Sequence, residues 1–531
     1  MNDISVKGCR QGHWTAEIRA LVPRVIGISA FWFITAPALD LRGGDWPQYR
    51  GPNHDGISVE SIRTNWSETP PRVIWRIPLG PALSSFSVSG DKAFTQVRRQ
   101  VSGQDQEVCV ALSTATGQEL WATPLGIADY PNGGVGADDG PRSTPSVDGN
   151  RVFVLTSYLR LACLDIADGH IVWSKDLAAP SQVISWQNGA SPLIENGLIF
   201  MNCNPATNRL LALRVADGSE AWRGANDTMT QASPIAATAA GVRQIIFFAQ
   251  SGLVSVDPSS GSVLWRYAIP FSIATAASPV AANDAVYCSA AYGVGAGTVG
   301  ISSAGASLRA TQLWRTPAGN MNHWATPVHY AGYLFGVYGE SATTLRCVEL
   351  STGTEMWRQA GVGQGSVLGV AGLLLVLTED GNLVLANPNP GSYAEVDRYR
   401  ALDGSSSSLP GIPVKCWNVP AISNGRIYVR STTESVCLDV APAVPPPLQL
   451  AGTVSSDGQT FRLFVGNQDN SPLDTNRVAH LDVLASTNLA LGLNGWSRIL
   501  EPVVLTNGQL LVEDSQKTAT PRRYFRVEER P

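Results

Sequence analysis

The chain has 531 residues, only 15% of them charged, with 51 glycines, 34 prolines, 15 tryptophans and a formal net charge of −5 at pH 7. So small a charge gives no reason to expect nucleic acid or an anionic membrane as a partner. Few charges together with many turn residues are the composition of a turn-rich, all-β protein.

At the N-terminus Lys7, Arg10, Arg19 and Arg24 precede or border an uncharged run, Val25 to Leu39, and Ala36-Pro37-Ala38 places small residues where a signal peptidase reads them. Residues 1–38 are therefore expected to be a signal peptide, which makes the protein exported, periplasmic or extracellular. The run falls short of the ~20 apolar residues that span a bilayer, so no stable membrane span is expected after cleavage. No cysteine follows it to carry a lipid. Residues 39–71 form a lead-in containing WPQYRGPNHDGIS (46–58), in which His54 is expected to be exposed or to cap a turn.

From there a tryptophan recurs at 75, 121, 173, 222, 265, 314 and 357, roughly every 47 residues, a spacing typical of propeller blades. Most copies close one pattern: ALSTATGQELW (111–121), CLDIADGHIVW (163–173), ALRVADGSEAW (212–222), SVDPSSGSVLW (255–265) and CVELSTGTEMW (347–357). Glycine stands four residues before each tryptophan, at a turn position that calls for φ > 0, and Ser, Thr or Asp beside it can bond the turn backbone. The pattern reads as a strand, a tight turn and an outer strand. Upstream, segments such as STPSVDGNRVFVLTS (143–157) and ATPVHYAGYLFGVY (325–338) supply two more strands, giving four per repeat. The fifth repeat is Gly/Ser/Ala-rich before Trp314 (293–305), the seventh (367–399) replaces its tryptophan, and the eighth (419–440) has three strands. The lone strand PRVIWRIPL (71–79) can complete the eighth and close the ring, which removes exposed edges. Residues 72–440 are thus expected to be an eight-bladed β-propeller closed by an N-terminal strand.

Cys9 lies in the signal, which leaves seven cysteines. Cys163, Cys347 and Cys437 occupy the place held by Ala111, Ala212 or Ser255 in other repeats, where a small buried residue is expected. No two cysteines are adjacent and no CxxC occurs.

Ala111-x-Ser113-x-x-Thr116-Gly117-x-x-x-Trp121 resembles the tryptophan-docking motif of the quinoprotein propellers, and the resemblance runs through about residues 72–440. It implies that Trp75, Trp121, Trp173, Trp222, Trp265, Trp314 and Trp357 are structural, packed between blades. The family's enzymes hold pyrroloquinoline quinone (PQQ) with calcium, an Asp acting as base and a Trp stacking opposite a disulfide of neighbouring cysteines. This chain has no adjacent cysteines, and its one carboxylate pair near the expected channel mouth is Asp138 and Asp139. No cofactor and no metal are therefore expected, with PQQ and calcium as the alternative.

Ligands of such a ring would gather where loops lead into each innermost strand. Trp186, Trp324 and Trp417 break the period and arrive at this place in three blades, with Arg142, Gln187, Asn188, Gln231, Asn322, His323, Gln364, Lys415 and Asn418 beside them. Aromatics, amides and two kinds of cation are groups suited to binding a ligand. None of the histidines at 54, 170, 323, 329 and 480 has a metal-ligand spacing. No nucleophile elbow or phosphate loop stands in a suitable context.

APAVPPP (441–447) reads as a Pro-rich linker, and 448–531 as a small β-sandwich-like module of four or five short strands. The expected function is an exported, non-catalytic scaffold binding a protein or glycan partner of the envelope at the channel mouth. In this it is similar to the eight-bladed component of outer-membrane barrel assembly. The alternative is a PQQ-dependent quinoprotein oxidoreductase acting on an alcohol or sugar with a divergent site.

Overall fold

The computed structural model describes residues 44–130, 140–178, 184–203, 210–305, 307–404, 414–442, 445–454, 460–487, 496–499, 503–514 and 524–529. The expected signal peptide and the pair Asp138 and Asp139 lie outside the described residues. Two compact units emerge, one spanning Arg42–Pro442 and one that includes Ala443–Pro531.

In the first unit the described residues form eight antiparallel sheets of four consecutive strands or their equivalent. Their innermost strands follow one another around a ring, with the first blade's against the eighth's. The eighth sheet is completed from the N-terminus: Arg72–Pro78 pairs antiparallel with Glu434–Asp439, putting Trp75 opposite Cys437. The Gly/Ser-rich fifth repeat builds a complete blade and lengthens its outer hairpin to strands Gly295–Ala304 and Ser307–Thr316. Inner strands such as Leu373–Leu377 are almost wholly buried, whereas the outer strand Glu395–Arg400 is exposed or half-exposed along its length. This gradient explains why apolar runs sit at the middle of each repeat and charges at its end.

The docking tryptophans join each blade to the next. A β-carbon on Gly169 would lie 2.5 Å from the Trp121 ring, and one on Gly117, Gly218, Gly261 or Gly353 would strike Trp75, Trp173, Trp222 or Trp314 in the same way. The turn glycine thus serves twice, adopting positive φ and leaving room for the neighbour's indole. The indoles of Trp75, Trp222, Trp314 and Trp357 each donate to a carbonyl of the following blade at 2.8–3.0 Å, and Trp121 donates to the Ile166 carbonyl at 3.2 Å. Trp265 departs from this pattern. The turn glycine of the fifth blade, Gly305, is not packed against it, since a β-carbon there would meet nothing within 4 Å, and the Trp265 N–H goes to Gln244 of its own blade. Across the sheet from Trp173, Trp357 and Trp75 stand Cys163, Cys347 and Cys437, each fully buried.

The lead-in is part of the ring's core. Trp46 bridges to Val88 in the first blade, the Pro47 carbonyl accepts from Val147 in the second, and Gln48 bonds both backbone groups of Ile194 in the third. Arg50 donates to the Thr326 and Pro327 carbonyls of the sixth blade, Ile57–Ser58 adds a parallel strand to the seventh, and Glu60 accepts from Asn424 and Gly425 of the eighth. The segment therefore crosses the channel and ties six blades together. His54 is accordingly 8% exposed, not the exposed or turn-capping residue expected, because the segment carries it inward against the innermost strands.

Farther along, Trp66 is 2% exposed and shares a hydrophobic cluster with Leu383, Leu385, Ile427 and Tyr428 of the seventh and eighth blades. Asp397 stands opposite Leu385, the place of the docking tryptophan in other repeats, and accepts from the Ser67 N–H at 2.7 Å. Arg63 reaches the Asp439 and Ala441 carbonyls. A tryptophan from outside the repeats fills the junction whose own repeat has lost one.

The second unit has a four-stranded sheet (Leu448–Val454, Phe461–Asn467, Gln509–Asp514, Val503–Thr506) and a three-stranded one (Ser497–Arg498, Leu481–Ser486, Tyr524–Glu529). They share one cluster that includes Leu463, Val465, Val483, Val512 and Val527, with Phe461 stacked on Phe525 at 4.8 Å. The described strands number seven rather than four or five, and a short helix, Thr475–Ala479, joins them.

Candidate functional site

Each loop entering an innermost strand starts from the outer strand of the blade before it, so the tryptophans that break the period are delivered to one end of the channel. Trp324 of the sixth blade and Trp417 of the eighth meet there, stacked with ring centroids 4.6 Å apart. His323 packs on Trp324 at 4.4 Å, and its Nε2 lies 2.8 Å from the Tyr292 hydroxyl. Burial lowers the His323 pKa, against the opposing pull of Glu340, so the ring is held neutral at pH 7. The Trp417 indole donates to Glu379 at 2.9 Å, and the Lys415 ammonium sits 5.0 Å from the Trp417 ring centroid. Glu379 also accepts from the Gln364 N–H at 3.0 Å, and the Gln364 amide donates to the Glu340 carbonyl at 2.7 Å. Glu340 in turn accepts from the Tyr292 N–H at 3.0 Å. Side chains of four consecutive blades are thus linked into one half-buried assembly.

Trp186 stands apart. Its backbone has φ +70°, its carbonyl accepts from Arg142 at 2.6 Å, and among the described residues no ring contact links it to the stacked pair. The amides are mostly inside the loops. Asn188 bonds the backbone of Ala190, Asn322 bridges Tyr287 and the Val337 carbonyl, and Asn418 donates to the Ser84 carbonyl. Gln187 and Gln231 are buried, and Gln231 donates to the Ser185 carbonyl at 2.9 Å. These five shape the mouth, while Trp186, Trp324, Trp417, Lys415, Gln364, His323 and Arg142 line it half-exposed.

Glu340, Glu379 and Tyr292 were missed in the sequence because they come from the loops between the second and third strands of their blades. A readable signal existed. Those loops rise at the same end of the ring as the ones entering the innermost strands, so their carboxylates had to face the same mouth. Nearby, Glu107 is fully buried, accepting from the Tyr130 hydroxyl at 2.7 Å and the Ser157 N–H at 2.9 Å, and burial raises its pKa.

With ring, docking contacts and closing strand established, comparison with known proteins is direct. A family model described as outer membrane protein assembly factor BamB matches residues 104–359. The chain is a β-propeller. Among solved structures this propeller is similar to quinohemoprotein alcohol dehydrogenase from Comamonas testosteroni (12% identity, 77% of this chain and 83% of that one, TM-score 0.51). It is also similar to BamB from Moraxella catarrhalis (14%, 70% and 97%, TM-score 0.47) and to quinohemoprotein alcohol dehydrogenase ADHIIG from Pseudomonas putida HK5 (12%, 79% and 84%, TM-score 0.49). At these identities the likeness speaks for the fold alone. No curated protein matches the chain in sequence.

Trp324 and Trp417 do not frame a slot for a sandwiched quinone. A planar ring between two flat partners needs a gap of roughly 7 Å, twice a van der Waals contact, and Trp324 and Trp417 already lie against each other at 4.6 Å. All seven described cysteines are buried and none is joined in a disulfide, so none of them supplies the disulfide face. The one group of metal-ligand type among the described residues is Asp165, Asp168 and His170. It sits in an outer hairpin turn, where Asp168 accepts from the His170 N–H and Asp165 from the Ala167 N–H, as Asp217 and Asp257 do in the turns of other blades. Sequence spacing gave no hint of this group, and these bonds make it a turn device.

Proposed function

We propose that the chain is an exported, non-catalytic scaffold that holds a protein partner of the cell envelope on the loops around Trp324 and Trp417. The observation that carries this reading is the stacked tryptophan pair, fixed by Glu379 and flanked by Lys415 and Gln364. A rigid aromatic centre with a polar rim is the anatomy of a protein-binding hot spot. The match to the assembly-factor family supports it. Among the described residues no helix is long and apolar enough to cross a membrane, and export rests on the signal read in residues 1–38.

The test is photo-crosslinking in an envelope extract, with a benzophenone amino acid at Gln364 or, at the far end of the channel, at Asn53. One protein adduct from position 364, absent from position 53 and lost with Trp417→Ala, is expected. Adducts to glycan instead of protein, or none from the mouth, overturn the reading. So does stoichiometric binding of PQQ with Ca²⁺ accompanied by dye-linked alcohol oxidation.

A further inference from the structure

Three devices join neighbouring blades, and among the described residues one seam has none of them. The first is the docked tryptophan. Trp265 of the fourth blade has no turn glycine packed against it and bonds within its own blade. The second is the lead-in, which is bonded to the third blade through Gln48 and next to the sixth through Arg50, with no hydrogen bond to the fourth or fifth among the described residues. Where it passes them, a cleft of about 130 Å³ is lined by Ile57, Ile235 and Val280. The third is a belt of hydroxyls at the entries to the innermost strands. The backbone N–H of Ser85 donates to the Thr144 hydroxyl, Thr144 to Ser191, Ser191 to Ser233, Ser278 to Thr326 and Val419 back to Ser85, each step crossing one seam at 2.9–3.1 Å. The step from Ser233 to Ser278 is missing, and the buried Ser278 hydroxyl has no hydrogen-bond partner. The two seams of the seventh blade lack that step as well, but there the lead-in is bonded to the blades on both sides.

We propose that the seam between the fourth and fifth blades is a hinge of the ring: the two blades part reversibly there while the other seams stay shut. What remains between them is an apolar cluster, in which Ile235, Phe248 and Trp265 meet Val286, Cys288 and Ile301, and three hydrogen bonds. The Ala240 N–H donates to Asp284 at 2.7 Å and the Tyr267 hydroxyl to Gln312 at 2.6 Å, both exposed, and the Gln231 N–H donates to the Thr275 carbonyl at 2.9 Å. Other seams have apolar clusters of their own, so packing does not set this one apart. The missing bonds do. A net hydrogen bond changes an opening equilibrium roughly two- to tenfold, so a seam short of an indole bond and a belt bond opens roughly tenfold more often. The lead-in bounds the motion, because it is anchored on either side of the pair, on the third and sixth blades. Opening therefore widens the ring locally without unfolding a blade. The hinge does not depend on the partner surface at the mouth.

The chain carries its own reporters. Cys288 lies in the cluster of this seam, Cys109, Cys163, Cys347 and Cys437 lie in clusters of other seams, and all five are buried. The full chain is treated with iodoacetamide in native buffer, and alkylation of each cysteine is followed by peptide mass spectrometry beside amide hydrogen exchange. When alkylation is slow relative to reclosing, its rate measures the population of the open form. Cys288 is expected to react roughly tenfold faster than the other four, while the ladder amides of Ala285–Ala290 stay protected. Tyr267→Phe, which deletes the bond to Gln312, should raise the Cys288 rate at least about twofold and leave the other four unchanged. Equal reactivity of the five cysteines overturns the proposal. So does Cys288 alkylation matched by exchange of those amides, which is unfolding of the blade, or a Tyr267→Phe effect that is absent or spread over all five.

Discussion

Two glycines of the second blade separate the two demands made on a turn residue in this ring. Gly149 and Gly169 both have positive φ, 56° and 74°, but a β-carbon on Gly149 meets nothing within 4 Å, whereas one on Gly169 would lie 2.5 Å from Cδ2 and Cε3 of Trp121 and 2.8 Å from the Thr123 hydroxyl. Gly149→Ala therefore carries the left-handed backbone penalty alone, about 1–2 kcal/mol. Gly169→Ala carries the same penalty plus the displacement of an indole anchored to the Ile166 carbonyl, a further ~1–3 kcal/mol for an overpacked contact. Urea unfolding midpoints of the two variants, and of each in a Trp121→Ala background, measure the difference. The gap is expected to shrink once Trp121 is gone, leaving the part that the Thr123 contact contributes. Equal costs in the native background, or a gap undiminished by Trp121→Ala, would refute the docking account.

Acid should destabilise the protein through His54. Burial is the main cause that lowers its pKa from 6.5 to about 4, with Glu195 opposing and Arg243 assisting. Between these values the unfolded chain binds a proton that the folded one refuses. Stability is therefore fully present above pH 6.5 and falls as pH drops toward 4, by about 2.5 kcal/mol at pH 4.5. Wild type should lose that much more than His54→Phe between pH 7 and 4.5 in urea titrations, and parallel losses would disprove it. Trp66→Ala, although outside the repeats, should cost about 3–5 kcal/mol, as for a packed core tryptophan; a midpoint unchanged from wild type would deny Trp66 its place at the junction of the seventh and eighth blades. Glu379→Ala should shift the Trp417 indole N–H resonance upfield and cost about 1–2 kcal/mol by stranding two donors, while Glu379→Gln restores most of both. An unmoved resonance would break the proposed brace.

The fold was legible because it repeats. Glycine four residues before tryptophan, copied along the chain, encodes a local turn and a local strand, and a unit that cannot bury its own face must stack on a copy of itself. The lone strand around Trp75 was equally readable, since an unfilled fourth position in the last repeat and an orphan strand at the front have one economical solution. The C-terminal module was legible as short strands, though not in number.

What the sequence could not decide lies outside the repeat. The lead-in has no period, so its crossing of the channel, the burial of His54 and the placing of Trp66 between blades depend on partners more than a hundred residues away. The mouth was half visible. Trp324 and Trp417 stood out by breaking the spacing, but only the tertiary structure stacked them, set Trp186 apart, turned the asparagines inward and brought in Glu340 and Glu379 from a second set of loops. Local sequence fixes the shape of a turn or strand, because its backbone bonds are made within a few residues. Which side chains share a site is fixed by the closure of the ring, to which every blade contributes and which no single repeat contains.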